Sequence, residues 1–246
     1  MKKIVAITLI LIAAIVLYMW FGYANIYNRI RAGGLKETDN TYTYVFNEVS
    51  PNVIKYAALG DSLTAGVGVD NYNQSYPYII SEEMAEENKV ILGDYSLLGA
   101  RTEDLISKNL LSGAVKDSPD MVTVLIGVND VRENISEKEF KKNYEYIVNE
   151  LVDNTVAKIY LINIPFIGSD TLYLPPYNYY FKDKTFKFNN IIKSIAEEHN
   201  LDYIDIATPT KEIFRKDGIY YSVDSLHPSA EGYKFIAEII YDGINP

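Results

Sequence analysis

In the stretch Leu59-Gly60-Asp61-Ser62-Leu63-Thr64-Ala65-Gly66, one serine stands among small residues directly after an apolar run, Val53 to Leu59. A serine hydroxyl is a weak nucleophile until a base takes its proton. The chain has two histidines to offer. His199 lies in Glu197-Glu198-His199-Asn200, at the end of a helical pattern, where an imidazolium interacts well with the helix dipole. It reads as a solvated helix terminator. His227 lies in Asp224-Ser225-Leu226-His227-Pro228, after a loop and before a helix. Asp224 is three residues earlier, and one turn of chain brings its carboxylate to the imidazole Nδ1–H. A carboxylate there fixes the tautomer and stabilises the imidazolium. Taken alone, Asp224 and His227 read equally well as a plain turn with a capping role. An oxyanion needs preorganised donors. The backbone N–H of Ser62, the N–H of Gly99 and the side-chain amide of Asn129 are the candidates, although an isolated Asn129 reads more readily as a turn or N-cap residue. Asp61 is expected to brace the turn, and Asp130 to support its loop. Together these residue types could perform acyl transfer.

The elements that must position them alternate. Strands are expected over Val53–Leu59, Val90–Leu98, Met121–Ile126, Ala157–Ile164 and Leu201–Ile206. Helices are expected over Tyr76–Glu87, Thr102–Leu111, Ser136–Asn154, Phe181–Asn200 and Ser229–Tyr241. Ser136-Glu137-Lys138-Glu139 gives the third helix a capping-box start. Such alternation implies βαβ units and a parallel sheet with helices on both faces. In such sheets ligands bind beyond the carboxyl ends of the strands. Gly60-Asp61-Ser62-Leu63, Gly99 and Gly127-Val128-Asn129-Asp130 each follow an expected strand, and Asp224 to His227 precedes the last helix.

These blocks, in this order, resemble those of the SGNH, or GDSL-type, hydrolases. The resemblance covers about residues 53–243. It implies a three-layer α/β/α sandwich with a flavodoxin-like parallel sheet. It also implies a carboxylic ester hydrolase in which Ser62 is the nucleophile, His227 the base and Asp224 its support. Ser62, Gly99 and Asn129 then form the oxyanion hole. No metal or organic cofactor is implied. The second block is the weakest match, resting mainly on Gly99. The G-x-S-x-G elbow of α/β-hydrolases is a different motif.

Ahead of this domain, no charge appears from Ile4 to Ala24, a run long enough to span a bilayer. It is longer than the apolar core of a typical signal peptide, which favours an uncleaved anchor, while Gly22-Tyr23-Ala24 offers a cleavage-like arrangement. The expected organisation is a signal anchor or signal peptide over 1–24, a polar tether over 25–50 and a catalytic domain over 51–246. A single-pass membrane protein with its catalytic domain outside the cytoplasm is expected, with secretion after cleavage as the alternative. Lys2 and Lys3 are nearly balanced by Arg29, Arg31 and Lys36, so charge alone does not set the orientation.

The net charge is −10, and residues 1–36 carry five basic groups and no acidic one, so the rest is more acidic still. Such a domain is repelled by phosphate backbones, which sets nucleic-acid binding aside. Cysteine is absent, which removes disulfides, thiolate metal sites and a cysteine nucleophile. The segment 166–188 contains Tyr173, Leu174, Pro175, Pro176, Tyr177, Tyr179, Tyr180 and Phe181. It is either an aromatic wall or lid over the crevice, or a loop packing its own aromatics. An apolar wall suits acyl chains of lipid or short-acyl esters. A tyrosine-rich wall suits sugar rings, hence removal of O-acetyl groups from cell-wall or extracellular polysaccharide. A tethered, non-catalytic binding module is the remaining alternative.

Overall fold

The computed structural model describes residues 2–32, 42–166, 172–214 and 218–245. Its sheet has six strands, β1 (Thr43–Phe46), β2 (Val53–Gly60), β3 (Lys89–Ser96), β4 (Met121–Leu125), β5 (Lys158–Ile162) and β6 (Asp202–Ile204). They lie in the order β1-β3-β2-β4-β5-β6. All neighbours from β3 to β6 pair in parallel, and β1 pairs antiparallel with β3. Leaving out β1, the parallel strands run second, first, third, fourth, fifth, which is the flavodoxin-like order. That order reverses between β2 and β4, and the reversal opens a crevice at their carboxyl ends.

The reason for a parallel sheet is visible along β4, where all five residues are buried. A strand covered on both faces needs helices on both sides. Helices α2 (Tyr76–Met84) and α9 (Ala230–Ile244) pack together on one side. On the other side, α3 (Thr102–Ser107), α4 (Leu110–Lys116), α6 (Glu137–Asn154) and α7 (Tyr177–His199) pack against one another. The three-layer α/β/α sandwich expected from the sequence is the fold observed.

Several boundaries differ for physical reasons. The helix expected over 102–111 is two helices, because Asn109 takes a left-handed conformation with φ of 62° and breaks the ladder between α3 and α4. Ser136 caps α6 as expected, its hydroxyl accepting from the Glu139 N–H at 3.2 Å. Two helices were not anticipated, α5 (Val128–Arg132) and α8 (Ala207–Phe214).

The stretch expected as a polar tether is partly structured. Helix α1 (Lys2–Ala32) runs into it, and β1 forms within it. Strand β1 has only four residues and a half-exposed pattern, which gives little periodicity to detect. It forms because the free edge of β3 offers unpaired backbone groups, and because Tyr44 and Phe46 stack edge-on against Tyr78 at 5.7 and 4.8 Å. The sheet is therefore mixed rather than purely parallel. The apolar part of α1, Lys2–Asn28, is a candidate transmembrane span of 27 residues.

Candidate active site

The loop after β2 begins with a close approach. A Cβ on Gly60 would stand 2.5 Å from the Leu125 carbonyl and 1.9 Å from Thr64 Oγ1, so the strand end admits no side chain there. The Asp61 carbonyl then accepts from the N–H groups of Thr64 and Ala65, turning the chain sharply. Asp61 Oδ1 also accepts from the Leu63 N–H at 2.9 Å. Ser62 is thereby presented at the carboxyl edge of the sheet.

The loop before α9 is closed on itself. The Ser222 N–H donates to the His227 carbonyl at 2.9 Å, and Tyr221 bridges to Pro228. Asp224 organises its interior: Oδ1 accepts from the N–H groups of Leu226 and His227 at 2.8 and 2.9 Å and from the Ser222 hydroxyl at 2.7 Å. Its other oxygen, Oδ2, is 2.5 Å from His227 Nδ1. His227 Nε2 is 2.9 Å from Ser62 Oγ. Three side chains from opposite ends of the domain thus form one hydrogen-bonded line, and all three are buried. Burial alone would raise the Asp224 carboxyl, but its bonds and charge interaction with His227, joined by the backbone donors, hold it down at about 2. Asp224 is therefore an anion facing the imidazole at any pH near neutrality.

Gly99 sits third in a turn closed by the Ala100 N–H donating to the Leu97 carbonyl at 3.0 Å. Its φ of 73° is the left-handed value that position of a type II turn requires, and that glycine supplies without strain. A side chain there would meet nothing within 4 Å, so the space beside its backbone is open. Among the described residues, the N–H groups of Ser62 and Gly99 have no acceptor within the protein.

Asn129 lies on α5, which is capped by Gly127, two residues past β4, with φ of 128°. Its Nδ2 donates to the Ala100 carbonyl at 3.0 Å, and its Oδ1 accepts from Arg132 Nη1 at 3.0 Å. The two partners fix the orientation of the amide and leave one N–H for a ligand. Asp130 takes the Thr102 N–H at 3.0 Å and the Thr102 hydroxyl at 2.7 Å, tying α5 to α3 beneath the site.

The cleft beside Ser62 is walled largely by apolar residues, among them Leu63, Val128, Pro165, Phe166, Phe214 and Leu226. Phe166 is the member of the aromatic segment that reaches it, while 167–171 lie outside the described residues. Leu172 and Tyr173 instead pack with Leu226, Tyr177 and Phe181 in a separate apolar cluster. His199 is half-buried in the last turn of α7 and takes no part. Among the described residues, no group of histidine and carboxylate side chains is placed to hold a metal.

Two contributors escaped the sequence reading. Arg132 acts on Asn129 at i, i+3 spacing, a signal readable only once that stretch is known to be helical. Ser222, two residues before Asp224, adds a hydroxyl donor to the same oxygen.

Residues 58–235 match the model of the GDSL-like lipase/acylhydrolase family, and the chain belongs to that family. A curated relative, the spore germination lipase LipC of Bacillus licheniformis, is 26% identical over 210 residues, covering 75% of this chain and 93% of the relative. The fold is similar to a crystal structure of a lipase/acylhydrolase from Enterococcus faecalis, with a TM-score of 0.65, 24% identity, and coverage of 78% of this chain and 95% of the other. It is also similar to the acetylxylan esterase Axe2 of Geobacillus stearothermophilus, with a TM-score of 0.64, 19% identity, and coverage of 82% and 97%. Membership supports ester hydrolysis in general.

Proposed function

We propose that the protein is a membrane-anchored serine esterase that cleaves carboxylic esters of lipid or short-acyl type through an acyl-enzyme. The observation that carries this reading is the buried line from Asp224 through His227 to Ser62, ending beside donors without acceptors. In this mechanism His227 Nε2 takes the proton of Ser62 Oγ as the oxygen attacks the ester carbonyl. The Ser62 and Gly99 N–H groups and the Asn129 amide bind the oxyanion. His227 returns the proton to the leaving alcohol. Water, deprotonated by the same imidazole, then attacks the acyl-enzyme and releases the acid. Asp224 stays ionised throughout and steadies the imidazolium.

Helix α1 serves as the signal anchor and the sheet domain stands outside the cytoplasm. A second reading is an O-acetyl esterase of cell-wall or extracellular polysaccharide, the kind of activity named for the similarly folded acetylxylan esterase Axe2.

The test is hydrolysis of p-nitrophenyl esters of graded acyl length by wild type and Ser62→Ala. Wild type should turn over, the variant should lose roughly 10³-fold or more, and a fluorophosphonate should label Ser62. Equal activity in both proteins would remove Ser62 from the reaction. The chain-length optimum separates acetyl removal from lipid hydrolysis.

A further inference from the structure

The last turns of α1 are attached to the domain beside the cleft. The Tyr177 hydroxyl donates to the Met19 carbonyl at 3.1 Å. Asn25 Nδ2 donates to the Leu172 carbonyl at 3.1 Å. Gly22 is buried, and a Cβ on it would stand 3.0 Å from the Tyr177 ring. Ile26 packs into the cluster of Leu172, Tyr173 and Leu226. Leu226 precedes His227 and also lines the cleft, so a single side chain separates this cluster from the space beside Ser62.

The position of these contacts along α1 matters. From Lys2 to Phe21 every described side chain of the helix is exposed. Ile4 to Gly22 spans roughly 28 Å at 1.5 Å per residue, close to the thickness of a bilayer's hydrocarbon core. The docking contacts, from Met19 to Ile26, therefore fall across the outer edge of that core. Trp20, Tyr23 and Tyr27 are exposed around that level, as interfacial aromatics are. Tyr177 and the start of α7 join them there.

We propose that this docking holds the mouth of the Ser62 cleft at the lipid–water boundary, so that the preferred substrates are acyl esters of lipids in the bilayer that holds α1. The inference rests on the esterase and anchor readings above. On a lipid ester the chains then stay in the bilayer and only the ester group rises to Ser62. A long flexible tether would have let the domain roam; the docked helix fixes its height instead.

The test uses the full chain in phosphatidylcholine vesicles with a phosphatidylglycerol bearing a fluorescent acyl chain. The lipid is placed either in the protein's own vesicles or in separate ones, and p-nitrophenyl acetate is the soluble control. Hydrolysis within the same vesicles should be at least about tenfold faster, since confinement raises the effective concentration. Ile26→Glu should cut that rate about tenfold by tilting the domain, and leave the soluble ester within about twofold. Separately, the chain has no cysteine of its own. In Gly22→Cys/Tyr177→Cys a short bismaleimide should bridge the two positions in intact membranes, the covalent link standing in for the Tyr177 contacts that the substitution removes, and the bridged protein should hydrolyse lipid faster than the unbridged double variant.

Equal rates on lipid in the same and separate vesicles would overturn the proposal. So would an Ile26→Glu protein that treats both substrates alike, or absence of the bridge. Failure of the esterase reading is distinguishable, because wild type would then leave p-nitrophenyl acetate intact while the bridge still formed.

Discussion

Arg132 holds one end of the Asn129 amide and the Ala100 carbonyl holds the other. With either partner gone, the amide can turn its oxygen toward the cleft, where it would repel an oxyanion. Arg132→Gln should therefore lower kcat about tenfold with little change in KM. In the proposed mechanism Asn129→Ala should lose roughly 10²–10³-fold, the usual cost of one oxyanion donor. The double variant should be no slower than Asn129→Ala, because Arg132 acts through Asn129. Effects that multiply would show that Arg132 acts on the substrate directly. The five residues singled out in the sequence were legible because each is a polar or glycine residue in a loop bordering an expected element, where a parallel sheet puts its crevice. Arg132 was not, since an arginine near the end of a short helix reads as ordinary surface charge. Its role depends on a contact with another side chain rather than on its own type.

At the scale of elements, the site depends on how α5 is held against α3. Asp130 does this with one carboxylate, accepting two bonds from Thr102 in a fully buried setting. Asp130→Ala would leave the Thr102 N–H and hydroxyl buried without acceptors, costing about 2–4 kcal/mol. It should also slow the reaction, because Asn129 sits one residue before Asp130 and bonds across to Ala100, two residues before Thr102. Thr102→Val, which keeps the backbone donor, should cost less in both. Denaturant unfolding and kcat measured on the two variants check this, and an Asp130→Ala protein as stable and fast as wild type would refute it. The alternation of elements was legible because long apolar strands and an amphipathic helix such as α6 carry a clear period. Strand β1 was not, because it is short and exists only through the edge of β3 and the ring of Tyr78. The break at Asn109 was hidden for a similar reason: asparagine tolerates the left-handed region but does not announce it.

At the scale of the molecule, buried acids set opposing demands on pH. Asp61 is fully buried, with Oδ2 lacking a partner, and burial, opposed by the Leu63 N–H, raises its carboxyl to about 7. Asp94 on β3 is raised to about 6, again chiefly by burial. Both exceed the unfolded value of about 3.9. Each therefore binds a proton more tightly in the folded state, and its contribution is complete below about pH 4 and lost as pH rises through 6 to 7. Asp224, held at about 2, works the other way: its contribution is present above about pH 4 and lost as pH falls toward 2. Of these three, the first pair changes between pH 5 and 8, and at ~1.36 kcal/mol per unit the two together are worth on the order of 4 kcal/mol. The full chain in detergent micelles should accordingly melt higher at pH 5 than at pH 8, by roughly 10 °C. Asp61→Asn keeps the acceptor for Leu63 and removes the titration, so it should flatten most of that slope. Thermal unfolding at the two pH values decides the matter. A wild-type Tm that stays level or climbs from pH 5 to 8, or an unchanged slope in Asp61→Asn, would mean that Asp61 is ionised in the folded protein, and the turn bearing Ser62 would then carry a buried negative charge beside the proposed nucleophile.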